Sequence, residues 1–471
     1  MNIPRFLQLY KEGRVEEAFE SVVIDNPLPA STGRVCQHPC EDRCRRHTID
    51  EAVSMREVHR FIADSIFSSD RFEEMANRIA ARRLPATGLK VAVVGAGPAG
   101  LTAAFYLSLL GHEVTVFESR SAAGGMLRFA LPEYRLPKSI LDREIDIIRR
   151  LGVSFIFNTS VGEGVSLDDL DTRFDATFIS IGTWKEARFP LAGAELKGVM
   201  PALTFLEAVA KGEAVSLGRR VVVIGGGNAA IDSARTARRL GSAVTVIYRR
   251  ERKDMPAIRE ETEAAEQEGA HFVFLATPHR ILGENGAVKG IEMVKTRLGE
   301  FDSSGRRGPI PTEEIQGFKC DSAILAVGEA VDPDFGRAAG LKVRENGTLE
   351  VDRYTLETSR ERFYAGGDAI SGATNVSNAM GYGKKEARLI DLRLMSEGRF
   401  HELFPNFEYD QTPPAENASG RHHPHPLPAV ERVNGFQEAV LPITPEEACE
   451  EAGRCLRCDI RENGAFALEH R

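Results

Sequence analysis

The chain has 471 residues, which is room for about three domains of ordinary size. Its 42% hydrophobic and 27% charged residues are typical of a globular protein. With 60 basic and 69 acidic side chains the net charge is -9, which argues against the positive face that non-specific nucleic-acid binding needs. No apolar run reaches the roughly 18 residues of a membrane span, and the charged start does not resemble a signal peptide. We expect a cytoplasmic protein that binds neither nucleic acid nor membrane.

Regular patterns change twice along the chain. Residues 2–84 carry apolar side chains at helical spacing, and residues 85–88 indicate a linker. Beyond the linker, short β-branched runs typical of buried parallel strands alternate with helical segments, which predicts an α/β class with parallel sheets. After about Phe400 the patterning fades, and residues 413–428 indicate an extended connector.

The first strand enters the glycine-rich turn Gly95-Ala96-Gly97-Pro98-Ala99-Gly100 and then an alanine-rich helix. Such a turn lets the backbone approach a pyrophosphate at the helix N-terminus. The next strand ends at Glu118, whose carboxylate suits ribose hydroxyls and repels a 2′-phosphate. The unit predicts a dinucleotide site; the alternative is a glycine turn that serves packing alone.

A second strand enters the turn Gly225-Gly226-Gly227-Asn228-Ala229. Its following strand ends at Arg249 and Arg250, where the first unit has an acid. Guanidinium groups bind phosphate in a bidentate manner, so this unit is predicted to prefer NADP(H). The alternative is a solvated run of charges on a loop. Two dinucleotide sites with different ribose preferences indicate two cofactors and hydride transfer.

A third element, Gly366-Gly367-Asp368 followed by Thr374-Asn375-Val376, is similar to the late motif of flavoproteins with two dinucleotide domains. The similarity implies that Asp368 binds the ribityl chain and that the next helix directs its N-terminus at the isoalloxazine. A strand–turn–helix with a capping aspartate is the simpler alternative.

Six of the seven cysteines fall in two groups, and Cys320 alone is expected to be a core thiol. In a reducing compartment, clustered thiols indicate metal or redox chemistry before disulfides. The groups are Cys36, Cys40 and Cys44, and Cys449, Cys455 and Cys458.

Together these motifs resemble the family of the glutamate synthase small subunit. That family includes the N-terminal half of dihydropyrimidine dehydrogenase, the large subunit of ferredoxin:NADP transhydrogenases and the NADPH-oxidising subunit of soluble ferric reductases. The resemblance covers nearly everything from Asn26 onward. Its motifs are residues 32–36 and 39–44, 124–127, 131–138, 249–250, 255–257, 326–328 and 366–368.

The resemblance implies two Rossmann-like dinucleotide-binding domains, for FAD and NADPH, preceded by a helical iron–sulfur domain and followed by a cysteine-containing tail. The NADPH domain interrupts the FAD domain. The implied ranges are 1–86 (iron–sulfur), 87–214 and 342–400 (FAD), 215–341 (NADPH) and 401–471 (extended C-terminal segment).

The resemblance also implies the residues of each cofactor site. No catalytic side chain is expected, because hydride transfer to the flavin needs no obligatory acid or base. FAD would contact Gly95, Gly97, Pro98, Ala99, Gly100, Glu118, Gly125, Met126, Arg135, Val161, Gly367, Asp368, Thr374, Asn375 and Val376. NADPH would contact Gly225, Gly226, Gly227, Asn228, Ala229, Arg249, Arg250, Ala326, Val327 and Gly328.

The cluster ligands depart from the family, whose glutamate synthase members begin with an extra cysteine-rich segment. Here no cysteine precedes Cys36. One or two [4Fe–4S] clusters are expected from the six grouped cysteines. Because a cluster usually takes four thiolates, neither group completes one alone, and the two segments should meet, within one chain or across a dimer. Cys44 is expected to join the tail.

Histidines supply further candidate ligands. His59 lies where relatives with a second cluster have a Gln or Glu ligand, although a helix-surface histidine is the simpler interpretation. His422, His423 and His425 are interpreted as a polar loop.

Three functions remain open. The first is an NADPH-oxidising flavo-iron–sulfur oxidoreductase, dimeric or larger, that passes electrons to an external acceptor or a partner subunit; the glutamate synthase small subunit proper is a variant. The second is a thioredoxin-reductase-like enzyme that uses the tail pair Cys455 and Cys458. The third is a non-enzymatic assembly subunit stabilised by zinc.

Overall fold

The computed structural model describes residues 1–187, 189–301, 305–404, 407–410 and 420–460. The N-terminal segment is helical, as predicted, and its helices bury an apolar core that includes Phe19, Val58 and Ile62. The helices are α1 (Ile3–Lys11), α2 (Val15–Asp25), α3 (Pro29–Val35), α4 (Pro39–Asp42), α5 (Met55–Phe67) and α6 (Phe72–Ala80), with a 3₁₀ turn at Arg45–Thr48.

The remaining elements mostly alternate between strand and helix up to β9, as the sequence predicted, except at the consecutive helices α8 and α9 and the consecutive strands β4, β5 and β6. They are β1 (Lys90–Val94), α7 (Pro98–Leu109), β2 (Glu113–Phe117), α8 (Met126–Phe129), α9 (Lys138–Arg150), β3 (Ser154–Ile156), α10 (Leu167–Arg173), β4 (Ala176–Ile179), β5 (Lys185–Glu186), β6 (Val199–Pro201), α11 (Ala202–Ala210), β7 (Arg220–Ile224), α12 (Asn228–Arg239), β8 (Ala243–Tyr248), α13 (Arg259–Gln267), β9 (His271–Phe274), β10 (Ala276–Glu284), β11 (Ala287–Phe301), β12 (Arg307–Lys319), β13 (Ser322–Leu325), β14 (Glu329–Ala330), α14 (Pro333–Ala338), β15 (Phe363–Ala365), α15 (Asp368–Ser371), α16 (Val376–Met395), β16 (His425–Pro426), α17 (Ala429–Val433), β17 (Val440–Leu441) and α18 (Pro445–Gly453).

The first sheet is parallel, in the order β15-β4-β1-β2-β3. Its strand β15 arrives from beyond the second sheet and pairs with β4 through Phe363 opposite Thr177. Both β1 and β4 are buried on both faces, which explains their continuous apolar runs.

The second sheet is also parallel, in the order β6-β13-β7-β8-β9. Strand β6 lies inside the range 87–214 predicted for the first part of the FAD domain, yet Val199 pairs with Ala323 of β13. The second sheet therefore begins before residue 215.

Besides the two predicted parallel sheets, β10, β11 and β12 form a three-stranded antiparallel sheet that the sequence did not predict. We call β11 and β12 the hairpin. Nearly every residue of β12 is exposed, so no buried face produces the alternation that marks a strand in sequence. Pro309 and Pro311 also argue against a strand, although an edge strand tolerates them.

The C-terminal segment is more regular than predicted. Helix α18 carries Cys449 and packs on α1 and α5; Tyr10 donates to the carbonyl of Pro445, and Ser54 N donates to Glu451 at 2.8 Å. Its signal was missed because the helix has only nine residues, with a capping box at Thr444 that lies beyond an aperiodic connector.

Residues 427–441, which we call the strap, contact all three parts of the molecule. Glu438 accepts hydrogen bonds from Arg34 and Arg60 of the helical segment. Ala439 N donates to Tyr134 O beside the first sheet, and Arg432 donates to Gln267 at the end of α13. The strap thereby fixes the helical segment and the two sheets to one another.

Among the described residues, no helix combines the length and the apolar character that crossing a membrane requires.

Candidate functional site

A cavity of about 1070 Å³ lies between the two parallel sheets, and both glycine-rich turns line it. Ligand pockets in proteins are commonly about 300–1,000 Å³, so this one has room for an extended ligand pair. All residues predicted to contact FAD or NADPH line it except Gly100 and Gly367. A Cβ at Gly100 would stand 1.9 Å from Gly95 O, so this glycine permits the turn to pack on its helix.

The starts of α7 and α12 are open toward this cavity. Their N-caps are Gly97 and Gly227, which have no side chain to accept a hydrogen bond from the first N–H groups of the helix. With φ of -77° and -89°, neither glycine is needed for its backbone conformation. A Cβ at Gly227 would meet no described atom within 4 Å, and one at Gly97 would meet only Gly125 Cα, at 4.0 Å. Uncapped N–H groups beside open space fit a pyrophosphate at each helix.

Glu118 follows β2 and is only 6% exposed. Its Oε2 accepts from Ala96 N at 2.8 Å, and its Oε1 accepts from Arg120 N at 2.8 Å. The carboxylate thus fixes the glycine-rich turn and also lines the cavity, where it is placed to accept from a ribose hydroxyl.

Asp368 begins α15 and points its carboxylate toward the same cavity wall as the start of α16. Its Oδ1 accepts from Thr374 Oγ1 at 2.7 Å, and burial raises the pKa of its carboxyl. The preceding Gly367 has φ of 65°, and a Cβ there would lie 3.0 Å from that of Ala99. Asp368 is therefore held close to the first glycine-rich turn, as a ribityl-binding aspartate would be.

Arg135, predicted to contact FAD, connects the two sheets. Its Nη1 donates to both oxygens of Asp232 on α12, at 2.9 and 2.8 Å, and it also faces Glu261. The guanidinium lines the cavity from this fixed position. The ion pair joins the loop between α8 and α9 to α12, the helix that follows the second glycine-rich turn.

Arg249 and Arg250 follow β8 and line the far end of the cavity. Arg249 is exposed, and Arg250 is buried with its Nε donating to Arg307 O at 2.8 Å. Guanidinium groups at this strand end fit a 2′-phosphate.

Sequence reasoning missed Arg120 and Trp184, which also line the cavity. The Arg120 guanidinium lies 3.5 Å from the centroid of the Trp184 ring and pairs with Glu207. The contact joins residues 64 apart in the loops after β2 and β4, and no local motif signals it.

The N-terminal cysteines begin at the cavity wall. Val35 and Gln37, on either side of Cys36, line the cavity, and Cys36 Sγ lies 3.0 Å from Ser377 Oγ on α16. Cys36 is thus at the boundary between the predicted flavin site and the helical segment.

The segments that carry the two cysteine groups adjoin at Cys44 and Cys458. Arg46, just after Cys44, donates to the carbonyl of Arg454, just before Cys455. Burial raises the pKa of the Cys458 thiol, and the neighbouring Cys44 adds to the rise. All seven cysteines are free thiols.

Thiols at this junction fit a [4Fe–4S] cluster in donor type. Within the described chain, however, no three His, Cys, Asp or Glu side chains gather as a metal site. The assignment of individual ligands therefore stays a prediction.

The histidine predictions have mixed outcomes. The expectation of a surface position for His59 is wrong: it is 5% exposed, its Nδ1 lies 3.1 Å from Met55 O, and burial lowers its pKa to about 4. His59 follows Val58 on α5, and the helical spacing of the apolar residues predicts that Val58 is buried. His422 and His425 pair with carboxylates of α18, consistent with a polar loop. Cys320 is fully buried, as expected of a core thiol.

Two buried glutamates, Glu144 and Glu268, have pKa values shifted in opposite directions. Glu144 of α9 accepts from Ser31 N at 2.9 Å, and burial raises its pKa to about 7. Glu268, after α13, is buried too, but hydrogen bonds from Arg235 and Arg239 outweigh the effect of burial and lower its pKa.

Two family models match the chain. Residues 89–383, which contain both parallel sheets, match the pyridine nucleotide-disulphide oxidoreductase family. The chain belongs to this family. Residues 1–71 of this oxidoreductase match domain II of dihydropyrimidine dehydrogenase, described with its 4Fe-4S cluster.

Curated relatives extend over nearly the whole oxidoreductase. It is 38% identical to the NADP(+)-dependent formate dehydrogenase subunit beta of Moorella thermoacetica, over 97% of this chain and 69% of that protein. It is 35% identical to the NADPH-Fe(3+) oxidoreductase subunit beta of Geobacter sulfurreducens, over 97% and 73%. The glutamate synthase [NADPH] small chain of Escherichia coli is 36% identical, over 82% and 84%.

Solved structures agree on the fold. The oxidoreductase aligns with Mycobacterium tuberculosis FprA in complex with NADPH at a TM-score of 0.55 and 20% identity, over 66% of this chain and 87% of that one. These matches confirm the predicted family, the fold class, the enzyme class and the cofactor set.

Proposed function

We propose that this oxidoreductase is the NADPH-oxidising, FAD-containing subunit of an electron-transfer complex, and that single electrons leave it through [4Fe–4S] centres toward a partner subunit. One observation carries the proposal: a single cavity joins both glycine-rich turns and is bordered by the residues on either side of Cys36. The names of two relatives as beta subunits support a partner protein.

The chain's own residues have positioning roles. Glu118 and Asp368 would hold the FAD, and Arg249 and Arg250 the NADPH phosphate, while the Arg135–Asp232 pair sets the spacing between the two. A bound flavin supplies the conversion between a hydride, which is two electrons, and single-electron transfer. The six grouped cysteines would hold the cluster or clusters.

The other two functions have less support. A thioredoxin-reductase-like enzyme needs its thiol pair beside the flavin, but Cys455 and Cys458 are not among the residues that line the cavity. A zinc-stabilised assembly subunit leaves the open helix starts at Gly97 and Gly227 without a role.

The test is anaerobic purification followed by flavin, iron, acid-labile sulfide and zinc analysis, and by reduction of a one-electron dye with NADPH or NADH. We expect FAD, iron with sulfide, and faster reduction by NADPH. Zinc without sulfide would contradict the proposal, as would a protein that holds neither metal and reduces only disulfides. Affinity purification from the native host would then identify the partner.

A further inference from the structure

The hairpin is attached to both arginines that follow β8. Thr296 Oγ1 of β11 donates to Arg249 O at 2.8 Å, and Arg250 Nε donates to Arg307 O of β12 at 2.8 Å. Both Thr296 and Arg250 are buried. Hydrogen bonds from both strands therefore hold this part of the hairpin against the end of the strand that carries the predicted phosphate site.

Arg306 immediately precedes the residue that accepts the Arg250 hydrogen bond. Its side chain is half-buried and lines the same cavity as Arg249 and Arg250. We propose that Arg306 is a third phosphate-binding arginine, supplied by the hairpin, which determines the preference for the 2′-phosphate of NADPH. The inference rests on the proposed function and extends it to a residue outside the family's dinucleotide motif.

The chemistry of the ligand calls for such a residue. A phosphate monoester carries about -1.5 to -2 charges and three acceptor oxygens at neutral pH. Arg250 already uses its Nε on Arg307 O, so the pair alone offers fewer donors than its composition suggests.

Two acids near Arg250 in the sequence, Glu251 in the loop after β8 and Glu266 on α13, have cationic partners outside the proposed site. Glu251 pairs with Lys253 at 2.7 Å, and Glu266 pairs with Arg252 at 2.5 Å. Three arginines from two separate elements, Arg249, Arg250 and Arg306, thus line one cavity.

The test is calorimetric titration of the FAD-loaded protein with 2′,5′-ADP, which carries the 2′-phosphate but no nicotinamide, and with 5′-AMP, which lacks that phosphate. Arg306→Ala should weaken 2′,5′-ADP by about tenfold or more, as expected for a lost charged hydrogen bond, and change 5′-AMP by less than about twofold. Arg306→Lys should lie between, because lysine keeps the charge but not the planar donor pair.

Arg297→Ala is the matched control. Arg297 is exposed on β11 of the same hairpin, lies outside the cavity, and its loss changes net charge equally. We expect it to leave both affinities unchanged.

The outcomes test the role of Arg306 separately from the assignment of NADPH to this site. Equal weakening of both ligands by Arg306→Ala, or no weakening of either, would overturn the role of Arg306 while the wild-type preference for 2′,5′-ADP supports the proposed function. A wild-type protein without that preference would overturn the NADPH assignment and this inference with it.

Discussion

The two dinucleotide units share a strand, a glycine-rich turn and a helix, but they hold the residues predicted to contact the ribose in opposite ways. Glu118 of the first unit is buried and accepts two backbone hydrogen bonds from its own unit. Arg249 of the second unit is exposed, and the hairpin contacts its backbone from outside. A buried side chain such as Glu118 suits a cofactor that stays bound. An exposed side chain such as Arg249 suits a nucleotide that exchanges at each turnover.

The largest effects should come from filling either helix start. Gly97→Val should yield protein without FAD, and Gly227→Val should keep FAD but weaken NADPH more than about 100-fold, because each side chain displaces a pyrophosphate and several charged hydrogen bonds. Both backbones accept valine. Flavin absorbance and NADPH titration measure the two losses. If both variants lost the same cofactor, the assignment of the units would be wrong.

The next largest effect is expected at Cys44 and Cys458, the neighbouring thiols that we predict to bind a cluster and that lie in neither unit. Replacing either by Ser should lower the iron and sulfide content while FAD stays bound, since neither residue lines the cavity. Cys320→Ala, in the core of the second unit, is the control and should keep full iron. Unchanged iron and an unchanged reduced-cluster EPR signal in both serine variants would exclude these ligands.

A smaller effect is expected from Arg249, the exposed arginine that lines the cavity. Arg249→Ala should weaken NADPH by about one to two decades, as one lost charged hydrogen bond costs roughly 1.5–3 kcal/mol, and should leave NADH nearly unchanged. Adding Arg250→Ala should increase the loss. Lys253→Ala, an exposed cation paired with Glu251, is the control. Equal losses for NADPH and NADH would contradict the phosphate assignment.

The last prediction concerns folding stability and tests the buried acids. The pKa of Glu144 is about 7 in the folded chain against an ordinary 4.5, so between these pH values the folded state binds the extra proton. Its contribution to stability should fall as pH rises through this window, by roughly 3 kcal/mol at most. Glu268, whose pKa is lowered, contributes with the opposite sign, and its contribution is lost as pH falls.

Glu144→Gln should remove this fall. Urea unfolding at pH 5 and pH 8 measures it, with exposed Glu163→Gln as the control. A fall of the same size in the glutamine variant would show that other groups cause the pH dependence.

The features that could be predicted from the sequence are those that a local pattern of residues determines. Gly97, Glu118 and Asp368 lie in strand–turn–helix units whose geometry follows from a few adjacent residues, and the structure places all three at one cavity. The hairpin had no such signal, because β12 has no buried face. Contacts such as Arg34 with Glu438, 404 residues apart, depend on the packing of the whole chain and have no local signature.

The strap has a consequence for the order of assembly. Ribosomal synthesis releases the helical segment and both sheets before residues 427–441 exist, so the contacts of Arg432, Glu438 and Ala439 form only after those parts have been made. The tail cysteines emerge later still. A cluster that uses the tail cysteines can therefore assemble only after residues 449–458 have been synthesised, whereas the glycine-rich turn of the first unit is available to FAD earlier in translation.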